Sequence, residues 1–291
     1  MTEERPATPE EQAILVKYVG WGFNKDIFNE AWAKNNGYEA EHNELKELLT
    51  EEEWKYARRS TLYAHYTATD VVEAMYEVLK RVGFDGGKVL EPAMGIGHFF
   101  GLMPDEMREA SWLTGVEIDK ISGNIARLLY PRANINIMGY EEFAVPYEEK
   151  KLLNENYYDL VISNVPFSDT PPAKDARYRK IPNRNLHNFF FAKAIDQVRP
   201  GGVLMFITSR YTMDSIDARF RQYMNERADF LGAVRLHNEA FKGIAETNVV
   251  TDIIFMRKRA EGEDYAGEDW IKTKQKEVEV DGRFYRFNIN E

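Results

Sequence analysis

The chain of 291 residues is 44% hydrophobic, 13% aromatic and 30% charged, and its formal net charge is −10. This length and composition fit one large globular domain with an accessory segment, and they exclude a largely disordered chain. The sequence has no cysteine, which excludes disulfides, thiolate zinc sites and cysteine nucleophiles. Its five histidines lack the spacing of a metal pair, so we expect no metal site.

Hydropathy and charge indicate the cellular location and the kinds of partner. No apolar run is long enough to cross a bilayer, and the start MTEERPATPEEQ lacks the basic and apolar regions of a signal peptide. We therefore expect a cytoplasmic protein with no membrane partner. The acidic net charge argues against a surface that coats nucleic acid throughout.

The first 60 residues are typical of short polar helices around the aromatic stretch YVGWGFNKDIF, and we interpret them as an accessory segment. Three of its aromatic residues are expected to pack on a neighbouring surface: Trp21, Phe23 and Phe28. The run TDVVEAMYEVLKRVGF then has apolar residues at a helical spacing. This run predicts an amphipathic helix with Thr69 or Asp70 as its N-cap.

Strand and helix patterns alternate from there. The expected strands are KVLEP, WLTGVEID, residues 134–138, YDLVISN, GGVLMFITS, LGAVRL and VVTDIIFMRKR, and a helix is expected around residues 215–227. The βαβ series predicts an α/β, Rossmann-like fold with a seven-stranded, mostly parallel sheet and helices on both faces. In the tail, VEVDGRFYRF alternates around Asp281 and Gly282, which indicates a hairpin. The predicted organisation is a helical segment over 1–60, a catalytic domain over 61–260 and a polar tail over 261–291.

The segment VLEPAMGIGHFFG sets Gly95 and Gly97 between a strand and a helix. Glycines there let the backbone approach a ligand, and the carboxyl ends of such strands open into the crevice where these sheets bind cofactors. NAD enzymes and plain tight turns share this G-x-G pattern. In GVEID, Glu117 ends the next strand about twenty residues later, where a carboxylate accepts ribose hydroxyls. NAD enzymes can also have an acid at this position, so Glu117 does not by itself identify the cofactor.

The strand YDLVISN leads into Asn164, Val165, Pro166 and Phe167, which resemble the (Asn/Asp)-Pro-Pro-(Tyr/Phe) motif of amino-methyltransferases. The lone pair of an exocyclic adenine amine is delocalised into the ring. An Asn oxygen and a neighbouring backbone carbonyl can each accept one N6 hydrogen and turn that lone pair toward a sulfonium methyl. Phe167 would stack on the extruded base.

Val165 stands where the motif has its first proline. Its carbonyl remains, and the following Pro166 keeps it extended. Its added N–H and freer φ leave weakened activity open.

The order of these motifs resembles the N6-adenine DNA methyltransferases, in particular the modification subunits of type I restriction systems, from about Leu62 to Arg259. AHYTATDVV is similar to their FYTP-type segment, and EPAMGIGHFF is similar to their DPACGSG-type loop, with Glu91 for Asp and Met94 for Cys. The resemblance implies S-adenosylmethionine as the cofactor and an acid near its adenine, a role for which Glu141 and Glu142 compete. The candidate cofactor-binding residues are Tyr66, Thr67, Glu91, Pro92, Ala93, Gly95, Gly97, Glu117, Ile118 and Glu141.

A more extensive resemblance covers almost the whole chain. KYVGWG, LLTEEEWKYARRSTLYAHYT, EPAMGIGHFFGLMP and ISNVPFSD are similar to the methylase region of very large helicase-methylase proteins of conjugative elements and phages. In that group an NVPF tetrad is usual, so Val165 need not mark lost activity. The sequence has no Walker phosphate loop or helicase motif. The resemblance therefore implies an excised domain or a short relative, with a helicase or target-recognition region on the same or another polypeptide.

Positive charge is concentrated in the stretch PPAKDARYRKIPNRN after the tetrad. This stretch is predicted to hold phosphates of the DNA strand, and solvated surface charge is the alternative. The candidate nucleic-acid-binding residues are Lys174, Arg177, Arg179, Lys180 and Arg184.

The sequence thus predicts transfer of a methyl group from S-adenosylmethionine to N6 of a flipped adenine in DNA. Two alternatives stay open. Enzymes that methylate glutamine in proteins use a similar Asn-Pro-Pro-Tyr tetrad, and a non-catalytic module could bind cofactor or DNA within a larger machine.

Overall fold

The computed structural model describes residues 5–21, 25–61, 67–143, 154–167, 175–236, 250–280 and 283–290. The chain forms two compact units. Unit 1 comprises Met1–Gly86, Ala93–Tyr140 and Glu239–Asn248. Unit 2 comprises Gly87–Pro92, Glu141–Asn238 and Val249–Glu291.

The strands of the fold are β1 (Gly87–Glu91), β2 (Ser111–Glu117), β3 (Asn134–Ile137), β4 (Tyr158–Asn164), β5 (Val198–Ser209), β6 (Ala228–Leu236), β7 (Thr251–Lys258), β8 (Lys274–Val280) and β9 (Arg283–Ile289). Seven of them form one sheet in the order β3-β2-β1-β4-β5-β7-β6. β2 pairs with β3 in parallel, and β4 pairs in parallel with both β1 and β5. β7 is antiparallel to β5 and β6. This seven-stranded, mostly parallel sheet confirms the predicted fold class.

The helices of unit 1 are α1 (Pro9–Leu15), α2 (Glu30–Asn35), α3 (Glu39–Leu48), α4 (Glu51–Ser60), α5 (Thr69–Arg81), α6 (His98–Gly101), α7 (Asp105–Glu109) and α8 (Lys120–Leu129). The helix predicted from residue 69 is confirmed, but its N-cap is Ala68 and not Thr69 or Asp70. The backbone of Ala68 is extended, and its carbonyl accepts the N–H of Val72 at 3.2 Å. Thr69 and Asp70 therefore already lie in the first helical turn. No helix among the described residues combines the length and apolar character needed to span a membrane.

The N-terminal helices surround a small core of Ile27, Phe28 and Ala57. Trp21 packs against this core, with its ring edge-on to that of Phe28 at a centroid distance of 5.4 Å. The predicted packing of Trp21 and Phe28 is therefore confirmed, and Phe23 lies outside the described residues.

The helices of unit 2 are α9 (Leu186–Gln197), α10 (Tyr211–Asp214) and α11 (Arg219–Asn225). α9 is buried along most of its length, and the ring of Phe191 lies 5.0 Å from that of Phe206 in β5. β5 begins earlier than predicted, because Val198 already pairs with Tyr158 before the register shifts. The predicted hairpin in the tail is confirmed as β8 and β9, with Val280 opposite Arg283.

Gly115 in β2 leaves room for the side chain of Met94. A β-carbon built at Gly115 would lie 2.1 Å from the Met94 sulfur, and Met94 is buried. A larger residue at position 115 would thus collide with a side chain that has little space to move.

We expect Gly115→Ala to lower the free energy of unfolding by about 1–3 kcal/mol, measured by urea denaturation. Met94→Cys shortens the opposing side chain, so Gly115→Ala should cost clearly less in that background. If the two changes add to within about 0.5 kcal/mol, the contact between these residues does not explain the glycine.

Candidate functional site

The loop after β1 is shaped by two glycines with left-handed backbone. Gly95 has φ +55° and Gly97 has φ +87°. The Gly97 N–H donates to the Met94 carbonyl at 2.8 Å, and the Met94 N–H donates to the Val116 carbonyl at 3.1 Å. A β-carbon at Gly97 would lie 2.5 Å from the ring of Tyr130. Both the backbone conformation and the available space therefore call for glycine at position 97.

Glu117 ends β2, and its half-buried carboxylate accepts two backbone N–H groups. The Gly95 N–H donates to Oε2 at 2.7 Å, and the Asp119 N–H donates to Oε1 at 2.7 Å. Each carboxylate oxygen can accept one further hydrogen bond. Burial raises the pKa of Glu117 to about 7. This carboxylate thus joins the glycine loop to the end of β2 and can still receive two hydroxyl groups.

Ile118 and Asp119 continue from this carboxylate. The Ile118 side chain is 65% exposed, whereas Asp119 is buried. Asp119 caps α8, its Oδ2 accepting the Ser122 N–H at 2.8 Å. An exposed apolar side chain beside a carboxylate suits a nucleoside. The base can contact the apolar side chain, and the ribose hydroxyls can bond to the carboxylate.

Tyr18 of the N-terminal segment belongs to these surroundings, which the sequence did not reveal. Leu15 and Tyr18 pack against the cluster of Ile96 and Ile125, and Ile96 lies between the two loop glycines. Burial raises the pKa of Tyr18, and the charge of Asp119 raises it further. The aromatic stretch YVGWG signalled packing, but not the element it would meet.

The other predicted cofactor residues are distributed over both units. In unit 1, Thr67 is buried and Ala93 is half-buried. In unit 2, Glu91 and Pro92 are buried where β1 ends, and Glu141 is half-buried. Tyr66 lies outside the described residues.

The tetrad lies in unit 2 and begins at Asn164, the last residue of β4. Asn164 is opposite Ile207 of β5, and the Val165 N–H donates to the Ile207 carbonyl at 3.1 Å. Val165 is 1% exposed, and Pro166 and Phe167 are half-buried. The Val165 N–H, which a proline would lack, therefore bonds to β5. This hydrogen bond is a structural reason for valine at position 165.

The parallel strands β1, β4 and β5 end at one edge of unit 2. Leu90 is opposite Val161, so Glu91 ends β1 beside β4. Because neighbouring parallel strands point the same way, Glu91, Asn164 and the end of β5 share the carboxyl edge of the sheet, where such sheets bind ligands.

The basic stretch divides into paired and exposed residues. Arg177 is half-buried, and its Nε lies 3.3 Å from Oδ1 of the buried Asp175. The fully buried Lys193 donates to Asp175 Oδ2 at 3.0 Å. Burial opposes the ionisation of Asp175, yet its bonds with Arg177 and Lys193 lower its pKa. Arg177 thus serves partly to neutralise a buried carboxylate.

Of the described basic residues in the stretch, Arg179 and Lys180 are exposed and are therefore the most open to a polyanion. Arg184 is half-buried, and Lys174 lies outside the described residues.

These features define a class. The chain has the fold of S-adenosylmethionine-dependent methyltransferases. It matches a class I S-adenosylmethionine-dependent methyltransferase structure from Listeria monocytogenes with a TM-score of 0.59 at 14% identity, over 88% of this chain and 87% of that one. A type I restriction-modification methyltransferase subunit from Streptococcus thermophilus matches with a TM-score of 0.56 at 15% identity, over 71% of this chain and 48% of that one.

The family follows from the sequence itself. Residues 54–284 match the family model described as N-6 DNA Methylase, and the chain belongs to this family. It is also 29% identical over 195 residues to the Defense against restriction protein B of Escherichia phage P1. That match covers 67% of this chain and 8% of the phage protein, so the chain spans a small part of this relative. The predicted family resemblance is confirmed.

We expect Val165→Pro to lower the free energy of unfolding by about 1–3 kcal/mol in urea denaturation. The change removes the N–H that bonds the fully buried Ile207 carbonyl. Val165→Ile keeps the N–H and the β-branched shape and should cost less than about 1.5 kcal/mol. Equal losses in the two variants would mean that packing, and not this hydrogen bond, selects valine.

Proposed function

We propose that this chain transfers a methyl group from S-adenosylmethionine to N6 of adenine in DNA. The observation that carries the proposal is the arrangement of Asn164, which ends β4 at the carboxyl edge of unit 2, and Val165, which follows it; both pair with Ile207 of β5. Membership of the N-6 DNA methylase family supports the same reaction.

Unit 1 would hold the nucleoside part of the cofactor. The free lone pairs of Glu117 would accept two ribose hydroxyls, and the exposed Ile118 would contact the adenine. The backbone of Gly95 and Gly97 would allow close approach. S-adenosylmethionine supplies, when bound, a methyl group activated by its sulfonium. The roles of Tyr66, Thr67, Glu91, Pro92, Ala93 and Glu141 in cofactor binding remain predictions.

Unit 2 would hold the target amine. The Asn164 side-chain oxygen and the Val165 carbonyl would each accept one N6 hydrogen and draw the lone pair out of the ring. N6 would gain positive charge as it takes the methyl group from the sulfonium, and the two oxygens would stabilise that charge until a proton leaves to water. Phe167 would stack on the extruded adenine.

The DNA backbone would be bound by exposed cations. Arg179 and Lys180 are open to phosphates, whereas Arg177 is largely committed to Asp175. Since the chain spans 8% of its phage relative, we propose that sequence recognition or a helicase lies elsewhere, on the same or another polypeptide.

The deciding experiment is a methyl-transfer assay with labelled S-adenosylmethionine on unmethylated genomic DNA, read by nucleoside mass spectrometry. We expect N6-methyladenine with the unaltered chain, and Asn164→Ala should lower the rate at least about hundredfold, since one positioned acceptor is removed from the transition state. Cofactor affinity should stay unchanged, because Asn164 is not proposed to touch the cofactor.

A protein extract in the same assay serves as the competing substrate. Label in glutamine residues and not in DNA would replace the proposed reaction by protein methylation. Retained N6-methyladenine with Asn164→Ala would contradict the assigned role of the tetrad, and cofactor binding without transfer to either substrate would indicate a non-catalytic module.

Cofactor binding should depend on pH through Glu117, whose pKa burial raises to about 7. Ribose hydroxyls donate to the ionised carboxylate, so binding lowers this pKa and is weakened by protonation. We expect the Kd for S-adenosylmethionine, measured by calorimetry, to be constant above about pH 8 and to rise by up to about tenfold per pH unit below 7. Glu117→Gln should bind more weakly and without this pH dependence. The same pH profile in both proteins would show that another group titrates.

A further inference from the structure

Unit 2 contains a cavity of about 210 Å³ that the proposed reaction does not use. Much of its lining is polar, and none of the four tetrad residues is among the described residues that line it. Its walls include Asn183, Asn185, Asn188, Tyr211, Thr212 and Ser215.

The cavity lies at the same edge of the sheet as the tetrad. α9 begins after its N-cap Asn185 and leads directly into β5, so its first turn faces the carboxyl edge of the parallel strands. Tyr211 follows β5 by two residues and lies four residues beyond Ile207, whose carbonyl accepts the Val165 N–H. A DNA strand that contacts the tetrad can therefore also reach this cavity.

Asn188 carries the acceptor that points to a ligand. It is 3% exposed, and among the described residues its Oδ1 has no hydrogen-bond partner. Its Nδ2 donates to the Asn183 carbonyl at 2.7 Å, and its backbone N–H donates to Asn185 Oδ1 at 2.9 Å. The first bond fixes which end of the amide is the oxygen, and a buried acceptor of this kind favours a ligand that brings an N–H.

Tyr211 offers a flat apolar surface at the cavity. It is 60% exposed, and the Arg210 guanidinium lies 5.3 Å from the centroid of its ring. An exposed aromatic ring beside a cation is the arrangement on which unpaired nucleobases stack while the phosphate is neutralised.

A buried arginine holds the wall in place. Arg221 is fully buried, and its guanidinium donates to the carbonyls of Thr212 at 3.3 Å, Ser215 at 2.7 Å and Ile271 at 2.9 Å. The backbone of Thr212 and Ser215 in the cavity wall is thus held in place before a ligand arrives, which lowers the entropy cost of binding.

We propose that this cavity binds one unpaired nucleobase of the substrate strand beside the target adenine, with Tyr211 stacking on the base and Asn188 Oδ1 accepting an N–H from its edge. The inference rests on the proposed function, since it takes DNA as the substrate. At about 210 Å³ the cavity is smaller than the roughly 300–1,000 Å³ of pockets that enclose drug-sized ligands, which suits a single base.

The test uses fluorescent single-stranded oligonucleotides of about 12 nucleotides with one adenine, either intact or with one abasic site at a position flanking it. For the unaltered chain, an abasic site at one flanking position should weaken binding about five- to hundredfold, and the other positions should matter less. Tyr211→Ala should bind the intact oligonucleotide as weakly, and the abasic site should then have no further effect. Tyr211→Phe keeps the ring and should bind as the unaltered chain does.

Tyr285→Ala is the matched control, because Tyr285 is a 50% exposed tyrosine on β9. Unchanged binding by Tyr211→Ala, or equal losses with Tyr285→Ala, would overturn the inference. If N6-methyladenine still forms on genomic DNA in that case, the proposed function stands while the cavity assignment fails. An unaltered chain that binds no oligonucleotide and methylates no DNA would overturn both.

Discussion

The hydrogen bond from the Val165 N–H to the Ile207 carbonyl extends the ladder of β4 and β5 by one residue beyond the end of β4. It anchors the tetrad to a buried strand just before the chain leaves the sheet. After this strand, β5, the chain continues into Tyr211 and the wall of the polar cavity. The backbone of the proposed amine site and the surface of the proposed base site are therefore set by one parallel pair of strands, whose carboxyl ends face the same edge.

A different balance governs unit 1. Burial destabilises the charge of Glu117 and raises its pKa, whereas two backbone N–H groups favour the ionised form. The carboxylate is thereby positioned accurately but is not fully stabilised. Ribose hydroxyls would add the hydrogen bonds that it can still accept, so the geometry that orders the glycine loop also prepares the loop for a nucleoside.

Two departures from the family motifs each have a structural partner in this chain. Met94 replaces the usual cysteine, and its larger side chain occupies the space that Gly115 leaves open. Val165 replaces a proline, and its N–H pairs with Ile207. Neither replacement leaves an obvious defect, because in each case a neighbouring strand accommodates the extra atoms.

The sequence by itself determined the order of strands and helices, the glycine loop at Gly95 and Gly97, and the positions of Glu117 and Asn164 at strand ends. These are local properties, because hydrophobic periodicity and glycine conformation depend on neighbours in the chain. Only the tertiary structure decided that Arg177 and Lys193 share the buried Asp175, that Tyr18 packs beside the glycine loop, and that Asn188 keeps a buried acceptor at a cavity. Those outcomes depend on which distant side chains meet when the elements pack, and periodicity carries no information about such contacts.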